Sequence, residues 1–424
     1  MHNCCKSKSI YIFVSKRKIV IKLQIKIIMK KILLFSFLIF IQGLVIAQDT
    51  WTQKANFPGN ARWGAACFTI NGKIYVGTGY DGSTNYSDFY EYDPGNNTWT
   101  QRASLNTARR LASAFSINGK GYIASGLSSS GHLNDLWEYD PSANTWTAKA
   151  DLPDDARYGA AGFAIGNKGY VCCGNEGNAG GPYNNDLWEY NPATNSWSAK
   201  ANFPGNARYG MTNARFVIGT KAYTGCGVTQ SNHFSDMYSY DQTTNQWNQI
   251  ANFPGAGSSY PMGFAVCDAG FMGTGQNGSG TAYSELYQYS PSGNNWIQVA
   301  NFGGGIRWLL VSAEANDRAF VGTGDDFNNE FSDWWEYKCL NDGIFDEENY
   351  KSLTVYPNPV NDLLTIDLNQ IRERNCIISV FDFSGKLISR ESLNNVQSKE
   401  KYTIDLSPYS NGIFFIQINS EGNS

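Results

Sequence analysis

The chain has 424 residues, two or three domains by length, with 42% hydrophobic, 17% charged and 14% aromatic residues. So little charge beside 43 Gly excludes a disordered or coiled-coil chain and points to an all-β protein rich in tight turns. The formal charge of -4 hides a split. Residues 1–47 hold 9 Lys/Arg and no acid, leaving 24 basic and 37 acidic residues beyond them and no basic stripe, so no nucleic acid is expected as a partner.

The chain opens on an upstream extension. Lys30-Lys31 precede the apolar run 32–41, then Gln42-Gly43 and the small Ala47 before Gln48. A basic start, a short apolar stretch and a small residue at the cut make residues up to 47 an expected signal peptide. The 16 residues from 32 to 47 fall short of the roughly 20 a membrane span needs, so the mature chain is expected to carry no transmembrane segment. No Cys follows that stretch to take a lipid anchor. Met29 is the expected start, with residues 1–28 upstream of the true reading frame, and Gln48 the mature N-terminus.

From residue 48 the pattern is periodic. Trp recurs at 51, 99, 146, 197, 247 and 296, a period near 50 that announces a repeat architecture. Each unit repeats one order of signals. An alternating strand such as Trp99-Thr100-Gln101-Arg102-Ala103 leads to a loop of the Asn56-Phe57-Pro58-Gly59 type and then an apolar strand, 65–70 or 160–165. Asn71-Gly72 or Asn118-Gly119 turns a hairpin, because both central positions of that turn need positive φ. A return strand ends in Gly79 or Gly174, and a variable loop leads to Tyr92-Asp93-Pro94 or Tyr139-Asp140-Pro141, which turns into the next Trp. Four short antiparallel strands per unit make one propeller blade.

These units resemble kelch repeats over residues 51–338, through the Arg before the first strand, the aromatic of the second, the Gly at its end and the final Trp. The resemblance implies a six-bladed kelch-type β-propeller over 48–338. Where kelch repeats carry a double Gly, this chain has Thr78-Gly79, Ser125-Gly126, Cys173-Gly174, Cys226-Gly227, Thr274-Gly275 and Thr323-Gly324, so a single Gly is expected to suffice for the bend. The sixth unit has no Trp strand after Lys338, whereas residues 51–55 form an orphan Trp strand before the first. Inserting that strand into blade six closes the ring and hides two sheet edges.

Residues 339–352 break the repeat as an acidic linker, and 353–424 return to short strands, read as a small immunoglobulin-like β-sandwich. Its motifs Val355-Tyr356-Pro357-Asn358-Pro359 and Asn411-Gly412-Ile413-Phe414-Phe415 resemble the type A C-terminal sorting domain of the type IX secretion system. That resemblance implies the type IX machinery as a partner and a secreted or surface location. The family continues past Glu421-Gly422 into a basic segment, so a domain truncated at Ser424 is expected.

Seven Cys remain beyond residue 47, scattered and without a CxxC, which excludes a zinc site, suits small core residues and singles out no disulfide pair. No cofactor or metal is expected. Kelch propellers include copper oxidases, but this chain lacks their ligand set, and its mature His132 and His233 are expected to be solvated loop residues. Asp325, Asp326 and Glu330 lack the spacing of a calcium loop.

The candidate ligand site is the loop face, where Arg62-Trp63, Arg109-Arg110, Arg157-Tyr158, Arg208-Tyr209 and Arg307-Trp308 recur and blade five has Ser258-Ser259. Arginines interleaved with aromatics suit a carboxylate, sulfate or sugar. The same arginines could instead tie loops to nearby carbonyls, and blade five would mark the asymmetric side of any site. Glu314 occupies a first-strand position held elsewhere by Thr69, Ser116, Ala164, Val217 and Ala265, which makes it a candidate catalytic acid or one half of a salt bridge. A secreted or surface propeller binding a glycan or protein is the reading these features support. Six-bladed kelch proteins also include sialic-acid mutarotases, so a carbohydrate-acting enzyme of that type is the alternative.

Overall fold

The computed structural model describes residues 8–15, 50–177, 180–254 and 257–339. In the C-terminal region it describes 355–356, 362–367, 375–382, 387–394, 401–409 and 413–421. It divides into two units, Gln48–Leu340 and the remainder, which joins Met1–Ala47 to Asn341–Ser424. Among the described residues no helix is long and apolar enough to cross a membrane. The proposed cleavage site lies outside them.

The first unit is a ring of six four-stranded antiparallel sheets. Blade one runs outward from the axis through Ala66–Ile70, Lys73–Gly77, Phe89–Asp93 and Thr98–Arg102. The first strands of the other blades are Ser113–Ile117, Ala161–Ile165, Arg215–Ile218, Met262–Val266 and Val311–Ala315. Blade six takes its outer strand, Thr50–Gln53, from the N-terminal side, paired from Thr50 opposite Lys338 to Gln53 opposite Trp335. The ring therefore closes as the orphan Trp strand requires, and both edges are hidden.

Two devices hold neighbouring blades together. First-strand rings lie on bare backbone of the next blade: a Cβ at Gly121 would stand 2.1 Å from Phe68, and one at Gly270 2.1 Å from Phe216. Where blade six meets blade one the sizes are exchanged, Ala313 facing Ile74, and fully buried Trp334 fills the space against Tyr92 and Trp99. At the rim five of the six outer-strand Trp clip the preceding blade. Trp146 Nε1 donates to the Ala103 carbonyl (2.9 Å), whose N–H donates to Asn144 Oδ1 (2.8 Å). The pattern repeats at Trp99–Ala55, Trp197–Ala150, Trp247–Ala201 and Trp296–Ala251.

The double-glycine departure resolves as expected, with two bent positions and one Gly in each blade. Thr78, Ser125, Cys173, Cys226, Thr274 and Thr323 all adopt left-handed φ of 55–66°, and so do the glycines that follow, at larger angles. A single Gly does suffice, because the non-glycine residue before it also takes the left-handed conformation, at a cost of about 1 kcal/mol or more. The return is a bond between blades, since Gly79 N donates to the Arg109 carbonyl and the five equivalents do the same around the ring.

Seventy-two residues apart, Cys267 and Cys339 form a disulfide that the scattered cysteines had not singled out. Cys67, Cys172, Cys173 and Cys226 are buried and free, as small core residues should be.

The second unit has one sheet of Val355–Tyr356, Leu363–Asp367 and Lys401–Asp405, and another that includes Asn375–Asp382, Leu387–Asn394 and Ile413–Glu421. Leu364, Ile366 and Ile404 of the first pack with Ile378, Val380, Phe414 and Ile416 of the second. In the upstream extension, Lys8–Ser15 pairs along Ile413–Glu421.

Candidate functional site

Loops of the repeat bring the predicted arginines together on one face, but inside the wall and not on its surface. Arg62, Arg109, Arg157, Arg208 and Arg307 are at most 1% exposed. Each guanidinium closes on an Asp of its own blade, just before the third strand at Asp88, Asp236 and Asp333 and within it at Asp135 and Asp186. Arg208 bonds Asp236 Oδ1 and Oδ2 at 2.5 and 2.9 Å, and Arg109 bonds Asp135 at 2.5 and 2.7 Å. Arg62 pairs with Asp88, Arg157 with Asp186 (2.6 Å) and Arg307 with Asp333. In Arg208 the remaining donors are taken too: Nη1 also reaches the Cys226 carbonyl (2.9 Å), and Nε the Asn206 carbonyl (2.8 Å). The expectation that these five meet an anionic ligand is therefore corrected. Held by carboxylate and carbonyls, they tie loops, and in blade five Ser258 replaces the arginine and donates to the Thr274 carbonyl (3.3 Å).

The residue after each arginine is what the face presents. Trp63, Arg110, Tyr158, Tyr209, Ser259 and Trp308 each bridge, backbone to backbone, to the residue after the inter-blade glycine. Tyr158, Tyr209, Tyr260 and Trp308 form an edge-to-face arc with centroids 5.5–6.1 Å apart. Leu111, Tyr158, Tyr260 and Leu309 converge from blades two, three, five and six into one buried cluster, closing this end of the channel. Arg110, half-buried, lies 4.1 Å over the Tyr80 ring and donates to Asn85 Oδ1 (2.8 Å).

Variable loops add rings that the repeat did not announce. Tyr183 stacks on Tyr209 (5.5 Å, 2°), and Phe327 stacks on Trp308 (5.0 Å, 22°). Phe327 is 44% exposed and held at φ 75°, an outlier for a bulky residue. Asp325 holds it there, accepting from Phe327 N (2.6 Å) and Trp308 Nε1 (2.8 Å), while Asp326 accepts from the N–H groups of Asn328 and Asn329. Both aspartates are committed to the loop. Between the two stacked pairs blade five carries only Ser259 and Gln276, bonded to each other at 2.7 Å.

The two histidines are half-buried in their loops. His132 stacks on Tyr158 (5.2 Å, 8°), and burial pushes both imidazoles below their ordinary pKa.

Toward the hairpin end, the channel opens into a cavity of about 370 Å³ lined by first strands of all six blades. Its charged groups are Arg215 and Glu314. Arg215 Nε donates to the Gly162 carbonyl (2.5 Å), and its other guanidinium nitrogens have no partner among the described residues. Ala265 N–H donates to Glu314 Oε1 (2.9 Å). Burial raises the Glu314 carboxyl, and nearby Arg215, which makes no ion-pair contact with it, holds it down in part. Glu314 thus lines the channel cavity with Arg215, and the expected salt bridge is not formed between them. Arg215 escaped the sequence reading because it sits in an otherwise apolar strand.

Compared with known proteins, residues 44–206 match the family described as the KLHDC2/KLHL20/DRC7 Kelch-repeats domain, and residues 354–424 match the secretion system C-terminal sorting domain. A solved structure titled "Structure of YjhT" is similar at 18% identity and a TM-score of 0.60, covering 68% of this chain and 98% of its own, a likeness of fold. No curated protein matches.

Proposed function

Because the chain is a six-bladed kelch-repeat propeller carrying a secretion system C-terminal sorting domain that sends it to the cell surface or beyond, we propose that the propeller serves there as a glycan-binding module. The observation that carries this reading is the pair of stacked rings on the loop face, Tyr183–Tyr209 and Trp308–Phe327, with the polar Gln276, held by buried Ser259, between them. Sugar rings present apolar faces to aromatic planes and hydroxyls to such side chains. Arg110 adds one positive charge for a carboxylated sugar. The test is a glycan array probed with the full chain. Binding to glycans supports the reading, and retention of array signal after Trp308→Ala with Phe327→Ala overturns it. A leader ending at Ala47 is part of the proposal, and N-terminal sequencing of the exported protein should begin at Gln48.

The carbohydrate-acting alternative rests on Glu314 beside Arg215 in the channel cavity. There Arg215 would hold a sugar carboxylate and Glu314 would move a proton at the ring oxygen. Exchange between anomers of a carboxylated sugar, followed by NMR, should rise with added protein and fall with Glu314→Gln.

A further inference from the structure

We propose that the Cys267–Cys339 disulfide is the latch of the ring, set by oxidation after the chain leaves the cytoplasm. Three observations at one place carry it. First, five of the six blade junctions bear the clip in which a Trp indole donates to the preceding blade's Ala carbonyl. The sixth, between blades five and six, falls to Trp51. Its ring packs on Phe302 (4.9 Å) and Phe264 (6.4 Å) of blade five, yet its Nε1 is buried with no partner. The disulfide spans that junction, since Cys267 lies in blade five and Cys339 follows the third strand of blade six.

Second, Cys267 is held where a cysteine is disfavoured. It opens the turn between first and second strands at φ 56°. The equivalent residues are Asn71, Asn118, Gly166, Gly219 and Asn316, types that tolerate the left-handed region. Blade five alone accepts the cost of another side chain there, and the bond explains why.

Third, Cys339 stands where Pro94, Pro141, Pro192 and Pro291 turn other blades into their outer strands. In blade six the outer strand comes from the far end of the propeller, so the third strand has a loose end. Cys339 fastens that end one residue beyond Lys338, which pairs with Thr50 of the closing strand.

The step balances as thiol–disulfide exchange with a disulfide-bearing oxidoreductase of the cell envelope. One thiolate attacks the partner disulfide and forms a mixed disulfide. The second thiolate then displaces the partner as a dithiol, so two electrons pass to it and two thiol protons are given up. A reducing cytoplasm keeps the latch open before export.

The test uses the full chain recovered after export. Non-reducing peptide mapping should find the 267–339 link. Hydrogen exchange is then compared among the oxidised protein, the protein with a phosphine reductant, and the variants Cys339→Ala and Cys267→Asn. Loss of the bond should speed exchange about tenfold or more at 50–53 and 334–338, with amides of 161–165 nearly unchanged. Cys267→Asn also relieves the turn, so it separates the bond from the strain: seam amides should still lose protection. Free thiols at both positions in exported protein overturn the proposal, as does faster exchange spread evenly over all blades.

Discussion

The two ends of the channel each hold arginine, and they use it oppositely. At the loop end Arg208 is fully buried and saturated by Asp236 and two carbonyls, and four other blades repeat the arrangement. At the hairpin end Arg215 occurs once, donates from Nε alone and lines a cavity with Glu314. A residue that recurs in five of six blades answers a need those blades share, which is to close their loops. A charge that breaks the repeat answers no such need and is free for a ligand.

The strongest way to break this contrast is Arg208→Ala. It leaves the Asp236 carboxylate in the wall without its partner, which typically costs about 3–5 kcal/mol. For a ring of this size the melting temperature should fall by roughly 6–15 °C in calorimetry. A variant that melts with the wild type would show that the repeated arginines are not ties, and the contrast would fail. Replacing both Trp308 and Phe327 by Ala should do the reverse. Phe327 is exposed and Trp308 half-buried, so melting should fall by less than in Arg208→Ala, while glycan affinity drops on the order of tenfold per ring in calorimetric titration. A large loss of stability with unchanged affinity would make the aromatic pairs structural and leave the face without a site.

Six blades and their closure were legible because Trp at a 50-residue period and an orphan Trp strand leave one ring as the economical answer. The fate of the arginines was legible as well, through a signal not used. Asp88, Asp135, Asp186, Asp236 and Asp333 recur with Arg62, Arg109, Arg157, Arg208 and Arg307, and blade five changes both partners together, to Ser258 and Glu285. Residues that vary as a pair within one chain are touching. Tyr183 and Phe327 were hidden because they come from loops with no repeat signal, and their stacking depends on a backbone conformation that composition does not encode. The Cys267–Cys339 pair was equally hidden, since a separation of 72 residues joins two blades only once the ring is closed.

The smallest expected effect concerns Glu314. Burial raises its carboxyl pKa above the ordinary 4.5, against the opposing field of Arg215. The folded protein then holds this proton more tightly than the unfolded chain. Between the unfolded pKa and the raised folded one, the native state binds more protons, so stability falls as pH rises through that window. Below the window both states are protonated and the group is neutral in effect; above it the full cost of a buried charge is present. Glu314→Gln removes the titration and keeps the acceptor for Ala265 N–H. Its melting temperature should match the wild type near pH 4 and exceed it by a few degrees near pH 7, about 1 kcal/mol for each unit by which the pKa is raised. If Glu314→Gln is less stable than wild type at pH 7, Glu314 is instead a fixed charge held for Arg215, and the channel joins the loop face as a place where arginine serves the fold.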